Sequence, residues 1–142
     1  MSPEFITVDD RDPSVIYTGD SAAWNLGGVY PEYDNTTHGA SSSATPGQIH
    51  FSFQGIRVTV YGTIGPAATS LVSMYSLDGS PASTYTAMST QVTLYRQQYF
   101  DSGVLEDGQH ELAISVLSGQ NATVWFDFFQ YLPSSGPFLA RI

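Results

Sequence analysis

The chain has 142 residues, a formal net charge of -9, only 12% charged residues, and four arginines (Arg11, Arg57, Arg96 and Arg141) with no lysine. That length suits one domain with a single core, and the absence of cysteine removes disulfides and thiol chemistry. The acidic balance repels phosphate backbones and anionic lipid surfaces, which excludes nucleic acid as a partner, and no apolar run approaches the roughly 20 residues that insert across a bilayer.

Residues 1–5 read as an expression-vector remnant, Glu4-Phe5 being what a common cloning site encodes, and are set aside. Residues 6–8 alternate as a short strand, which ends at the acidic run Asp9-Asp10-Arg11-Asp12 because Pro13 cannot donate to a ladder. Residues 15–17 resume extended structure as far as Gly19. Between Asp20 and Gly47 neither a two-residue nor a helical period is sustained, which predicts a functional loop interrupted by one or two short strands. Residues 48–53 alternate with Ile49, Phe51 and Phe53 inward, and Gly55 predicts a tight turn into a partner strand over 56–61. Residues 71–77 form a strand closed by Asp78-Gly79, a strong hairpin signal. A short edge strand is expected over 84–87, then extended segments over 92–95 and 99–100. Over 110–117, Leu112, Ile114 and Val116 alternate with Glu111, Ala113 and Ser115, the pattern of one buried and one wet face. The final strand, 124–131, is aromatic on both faces and is expected at the centre of a sheet.

About eight strands with turn signals about every ten residues, and no convincing helical period, predict an all-β antiparallel sandwich or jelly roll. The domain is expected over 6–132, with a linker-like tail over 133–142. Polarity comes from hydroxyls and amides rather than charges. Sequons at Asn35 and Asn121, each in a turn-like stretch, point the same way, to a secreted or cell-surface glycoprotein.

Several short motifs recur in a fixed order: Val8-Asp9-Asp10, Ile16-Tyr17-Thr18-Gly19, Trp24, Gly39-Ala40, the stretch from Ile49 to Gly55, Val58-Thr59-Val60-Tyr61-Gly62, Tyr75-Ser76-Leu77-Asp78-Gly79, the stretch from Gly103 to His110, and Val124-Trp125-Phe126-Asp127-Phe128-Phe129. Together they resemble a family of extracellular fungal domains across nearly the whole of 6–132. The resemblance implies a galactose-binding-domain-like jelly roll, the architecture of many carbohydrate-binding modules. Such domains often precede a low-complexity linker and a membrane span in fungal cell-surface proteins.

Aromatic rings offer flat faces against the C–H faces of sugars, while short polar side chains read the hydroxyls. The 20–38 stretch holds such a mixture, and Trp24, Tyr30, Tyr33 and His38 are its candidate ligand contacts; Trp24 reads equally as a plug at the sandwich edge, and Tyr33 and His38 as ordinary loop residues. A second mixture, Tyr95, Gln97 and Tyr99 around Arg96, is a candidate opposing wall or an edge strand packed on the sheet. Asp9, Asp10 and Asp12 could offer oxygen ligands to calcium, the one cofactor the sequence suggests, although acidic turns are often merely solvated. Asp127 needs hydrogen bonds among its aromatic neighbours and is expected to be held by backbone amides or an arginine.

Catalytic equipment is thin. There is no Gly-x-Ser-x-Gly elbow, His38, His50 and His110 lack short zinc spacing, and no carboxylate pair is singled out. The expectation is therefore a non-catalytic, lectin-like module whose partner is a cell-wall or cell-surface glycan or polysaccharide. The alternative is a structural or adhesive ectodomain acting by protein contacts, with a weak homo-oligomer formed through an edge strand such as 84–87 or 95–99.

Overall fold

The computed structural model describes residues 4–18, 24–28, 36–40, 47–65, 71–87, 91–116 and 124–134. These residues form ten strands: β1 (Ile6–Asp9), β2 (Val15–Thr18), β3 (Trp24–Gly27), β4 (Thr37–Ala40), β5 (Gln48–Ile64), β6 (Leu71–Leu77), β7 (Ser80–Ala87), β8 (Leu94–Asp101), β9 (Gly108–Val116) and β10 (Val124–Pro133). Every pairing is antiparallel.

The expected turn at Gly55 is absent: residues 48–64 run as one 17-residue strand that belongs to both layers of a β-sandwich. Residues 48–55 pair with β9 on one side and, over 48–51, with β2 on the other, and β6 and β7 extend that layer beyond β9. Past Gly55 the strand pairs with β10 and β8, and β1 and β4 line the far side of β10, with β3 outside β4. Gly55 is required for close approach rather than for a turn, since a Cβ there would lie 2.0 Å from the Leu132 carbonyl oxygen.

The two layers face each other through aromatic contacts. Phe51 of β5 meets Phe129 of β10 at 5.5 Å between centroids, and Tyr75 of β6 stacks on Phe100 of β8 at 4.9 Å. Ile49, Val58, Val60, Leu112, Ile114, Phe126 and Phe129 are fully enclosed between them. The central position expected of the last strand holds, because β10 has hydrogen-bonded neighbours on both sides. The 20–47 stretch contains two short strands, β3 and β4. β7 begins earlier than expected, at Ser80, because Asp78 and Gly79, with φ of 52° and 82°, close a tight hairpin onto β6. The expected 92–95 and 99–100 segments are one strand, β8, which begins only at Leu94 and whose register shifts against β5 between Val60 and Tyr61 and between Gly62 and Ile64. Sequons Asn35 and Asn121, along with Tyr30 and Tyr33, lie outside the described residues, as do 135–142.

Candidate functional site

Trp125 is the second residue of β10, paired with Gly39 of β4 on one side and Thr63 of β5 on the other. An ideal Cβ on Gly39 would fall 2.4, 2.5 and 2.8 Å from three consecutive carbons of the indole six-ring, Cε3, Cζ3 and Cδ2. Near-equal distances to adjacent ring atoms are those of a point above the ring face, not at its edge. The indole therefore lies flat on Gly39, and Gly27 of β3 sits under its far end, a Cβ there being 2.9 Å from Cζ3. With Gly27 and Gly28, the residues Thr37, Thr63, Gly65, Thr93 and Tyr95 join the indole in lining a cleft of about 310 Å³ at the ends of five neighbouring strands, β3, β4, β10, β5 and β8. It offers what a sugar ring needs: a flat aromatic surface, a second ring and threonine hydroxyls.

Of the residues anticipated from sequence, Tyr95 lines this cleft, half-buried. Tyr99 does not. It is 4% exposed, its ring packs edge-on against Phe126, and its hydroxyl lies 2.9 Å from both the Thr63 and Trp125 carbonyl oxygens, to which it donates. As a contact residue it is thus corrected to a prop beneath the Trp125 backbone. Gln97 is half-buried and donates from Nε2 to the Tyr95 carbonyl at 2.8 Å, holding the neighbouring backbone. Trp24 pairs with Ala40 through its backbone, and its side chain is outside the described structure.

His38 takes part in a different constellation. Its ring stacks on Tyr17 at 3.9 Å, and its Nδ1 lies 2.7 Å from an Asp10 carboxylate oxygen. The Tyr17 hydroxyl donates to the Asp10 carbonyl at 2.6 Å. Burial, then the negative charges of Asp10 and Asp9, drive the Tyr17 phenol far above its ordinary range. The Thr36 hydroxyl reaches both Asp9 and Asp10. Carboxylate oxygens of Asp9, Asp10 and Asp127 all lie within 4.8 Å of one another, with Asp10 and Asp127 fully buried. Burial, followed by its hydrogen bond to Asp10 and that residue's charge, pushes the Asp9 carboxyl up to about 6, with Thr36 pulling the other way.

Three carboxylates and a hydroxyl form a hard-oxygen donor set that fits a calcium-like cation, and the raised Asp9 carboxyl reflects first its burial and then its contact with Asp10. Asp12 is not part of the cluster. It is exposed and accepts from the Ser14 amide and hydroxyl at 2.9 and 2.8 Å, which holds its carboxyl below the usual range. Asp127 sits in this cluster where β1 meets β10, and its carbonyl accepts from the Asp10 amide at 3.1 Å.

Trp125 was missed as a site residue. Its signal was indirect: glycines at 27 and 39 that face it only once β3, β4 and β10 are aligned.

No protein-family model and no curated protein matches the chain in sequence. Solved structures do match in fold. A family 35 carbohydrate binding module from Clostridium thermocellum aligns with a TM-score of 0.62 at 12% identity over 89% of this chain and 98% of that one. The catalytic domain of a GH87 alpha-1,3-glucanase in complex with nigerose aligns at 0.61 and 9% identity, over 96% of this chain and 29% of its own. The Agl-KA catalytic domain aligns at 0.60 and 14% identity, over 93% and 28%. The chain thus spans less than a third of those catalytic chains but nearly all of the binding module. What the chain shares with the binding module over nearly its whole length is the antiparallel β-sandwich fold. No helix of the described residues is long and apolar enough to cross a membrane.

Proposed function

We propose that the protein is a non-catalytic carbohydrate-binding module that seats a sugar ring on Trp125, with Tyr95 as the facing wall and Thr37, Thr63 and Thr93 beside the hydroxyls. The observation that carries this reading is the glycine bed under the indole: glycines on two strands let one aromatic face lie flat against the sheet, and the ring so held lines a cleft. Likeness to a family 35 carbohydrate binding module over almost the full length of its chain supports the reading. Burying about 60–80 Å² of apolar surface on the indole contributes roughly 1.5–2 kcal/mol of the about 4–8 kcal/mol that a millimolar to micromolar single-site affinity requires, and contacts to the sugar hydroxyls supply the rest.

Asp9, Asp10 and Asp127 would hold a calcium ion, whose role is structural: it ties β1 to β10 on the side of β4 away from the cleft. The sequons and lysine-free, hydroxyl-rich composition support a secreted or cell-surface location. The test is a glycan array with and without calcium, followed by titration calorimetry of Trp125→Ala. Binding by wild type and its loss in a folded Trp125→Ala protein is the expected result; undiminished binding by that variant places the site elsewhere. A second reading, an adhesive ectodomain, has one observation in its favour: β7 is an exposed, uncharged strand that pairs, among the described residues, with β6 alone. A stable dimer by light scattering, coupled to a blank array, would favour it.

A further inference from the structure

Beside the Trp125 cleft, the same outer face of the sheet carries a second group of side chains. Thr63 lines the cleft, and Tyr61, two residues earlier on β5, points to the same side about 7 Å along the strand. Its register partners are Phe128 on β10 and Gln98 on β8. Tyr61 stacks on Phe128 at 4.7 Å and 13°, and Gln98 Nε2 donates to the Tyr61 hydroxyl at 2.9 Å. The Arg96 guanidinium lies over Phe128, 5.7 Å from its centroid.

Arg96 reaches this position through an unusual backbone. Its φ is 53°, and the other described non-glycine residue with positive φ, Asp78, sits in a hairpin turn that demands it. Arg96 is instead inside β8, where the register shifts against β5. Strict alternation would send Tyr95 and Arg96 to opposite faces of the sheet. The bulge turns both to the outer face, Tyr95 into the cleft and Arg96 over Phe128, at the cost of a conformation that side-chain-bearing residues avoid. Among the described residues Arg96 forms no ion pair, whereas Arg57 is engaged by Asp101. A planar guanidinium held on an aromatic ring retains donors suited to neighbouring oxygens.

The geometry points to a second sugar subsite, built from Tyr61, Arg96 and Gln98 and continuous with the Trp125 cleft, so that the ligand is a stretch of neutral polysaccharide laid along the sheet face rather than a lone terminal sugar. This rests on the carbohydrate-binding reading of the cleft. Neutrality follows from the formal charge of -9, which opposes a polyanionic chain.

The test is calorimetry with disaccharides and matched hexasaccharides of alpha-1,3-glucan, beta-1,3-glucan, beta-1,4-xylan and beta-1,4-mannan, plus a hexagalacturonate. Variants are Arg96→Gln, and Arg96→Gly, which removes the side chain while suiting the left-handed backbone. Wild type should bind one neutral hexasaccharide about tenfold or more tighter than its disaccharide. Both variants should lose most of that gain while keeping the disaccharide affinity. Equal binding of short and long ligands by wild type, or equal losses on both in the variants, overturns the second subsite and leaves the first intact. Preference for hexagalacturonate overturns the neutral assignment. No binding of any ligand overturns the carbohydrate reading, and the subsite with it.

Discussion

Gly39→Ala tests the bed under Trp125 directly. The added methyl would sit 2.4 Å from Cε3, and ordinary contact begins at 3.4 Å, so the indole must move by 3.4 − 2.4 = 1.0 Å. β4 cannot retreat by that amount, since it is hydrogen-bonded to β3 on one side and β10 on the other. Overpacking of this size costs about 1–3 kcal/mol, and the displaced ring shifts within the cleft it lines. Sugar stacking on the displaced ring should then weaken by roughly tenfold. Denaturant unfolding gives the stability change, calorimetry the affinity, and near-ultraviolet circular dichroism the Trp125 environment. Gly65→Ala is the matched control: Gly65 lines the same cleft, but its Cβ would meet nothing within 4 Å, so stability should stay within about 0.5 kcal/mol of wild type. If Gly39→Ala unfolds at the wild-type denaturant concentration and binds sugar normally, the indole is not bedded as described and the site argument fails with it.

Calcium at about 100 times its dissociation constant should stabilise the protein by about 2.7 kcal/mol, or roughly 10 °C in Tm, with little effect on Asp127→Asn. Because the folded Asp9 carboxyl is raised to about 6, its contribution to metal-free stability is full below the unfolded value of 3.8 and is lost as pH rises through 6. Protons therefore compete with the cation, and thermal melts should show a larger calcium effect at pH 7.5 than at pH 5. The Asp78 carboxylate, followed by the Glu106 carbonyl, raises the His110 pKa above 6.5. Its contribution is complete below the ordinary histidine value and lost as pH rises through the folded one; an NMR titration should find the raised value, and Asp78→Asn should lower it. Gly55→Ala places a Cβ against the Leu132 carbonyl, a backbone atom that cannot rotate away, and should cost about 3 kcal/mol or more by denaturant unfolding.

Strand identity was largely legible because period-two burial is local: Leu112, Ile114 and Val116 announce their buried face without reference to any partner. Gly55 shows where local reading stops. Glycine serves a turn and a close backbone approach equally well, and only the Leu132 carbonyl above it distinguishes them. The site divided along the same line. Tyr95 was found through its neighbours in sequence, but Tyr99, four residues on, faces inward because the bulge at Arg96 resets alternation within β8. Asp9 and Asp10 drew attention as an acidic run, yet their third partner is Asp127, brought to them only by the pairing of β1 with β10. Trp125 looked like one more aromatic in a central strand. Its place in the cleft follows from glycines about 90 residues away, a relation that composition does not carry.

The pairing of Ile6 with Tyr131 has a mechanical meaning. The first and last strands run side by side in opposite directions, so a polypeptide tethered at both positions enters and leaves the sandwich at one point. Tension applied there falls on one rung of the β1–β10 ladder at a time, as in opening a zipper, instead of shearing all of its rungs together. The acidic cluster lies at the far end of that zipper, where Asp9 sits opposite Phe128, and an ion held there would act as the stop that keeps the first strand from peeling further.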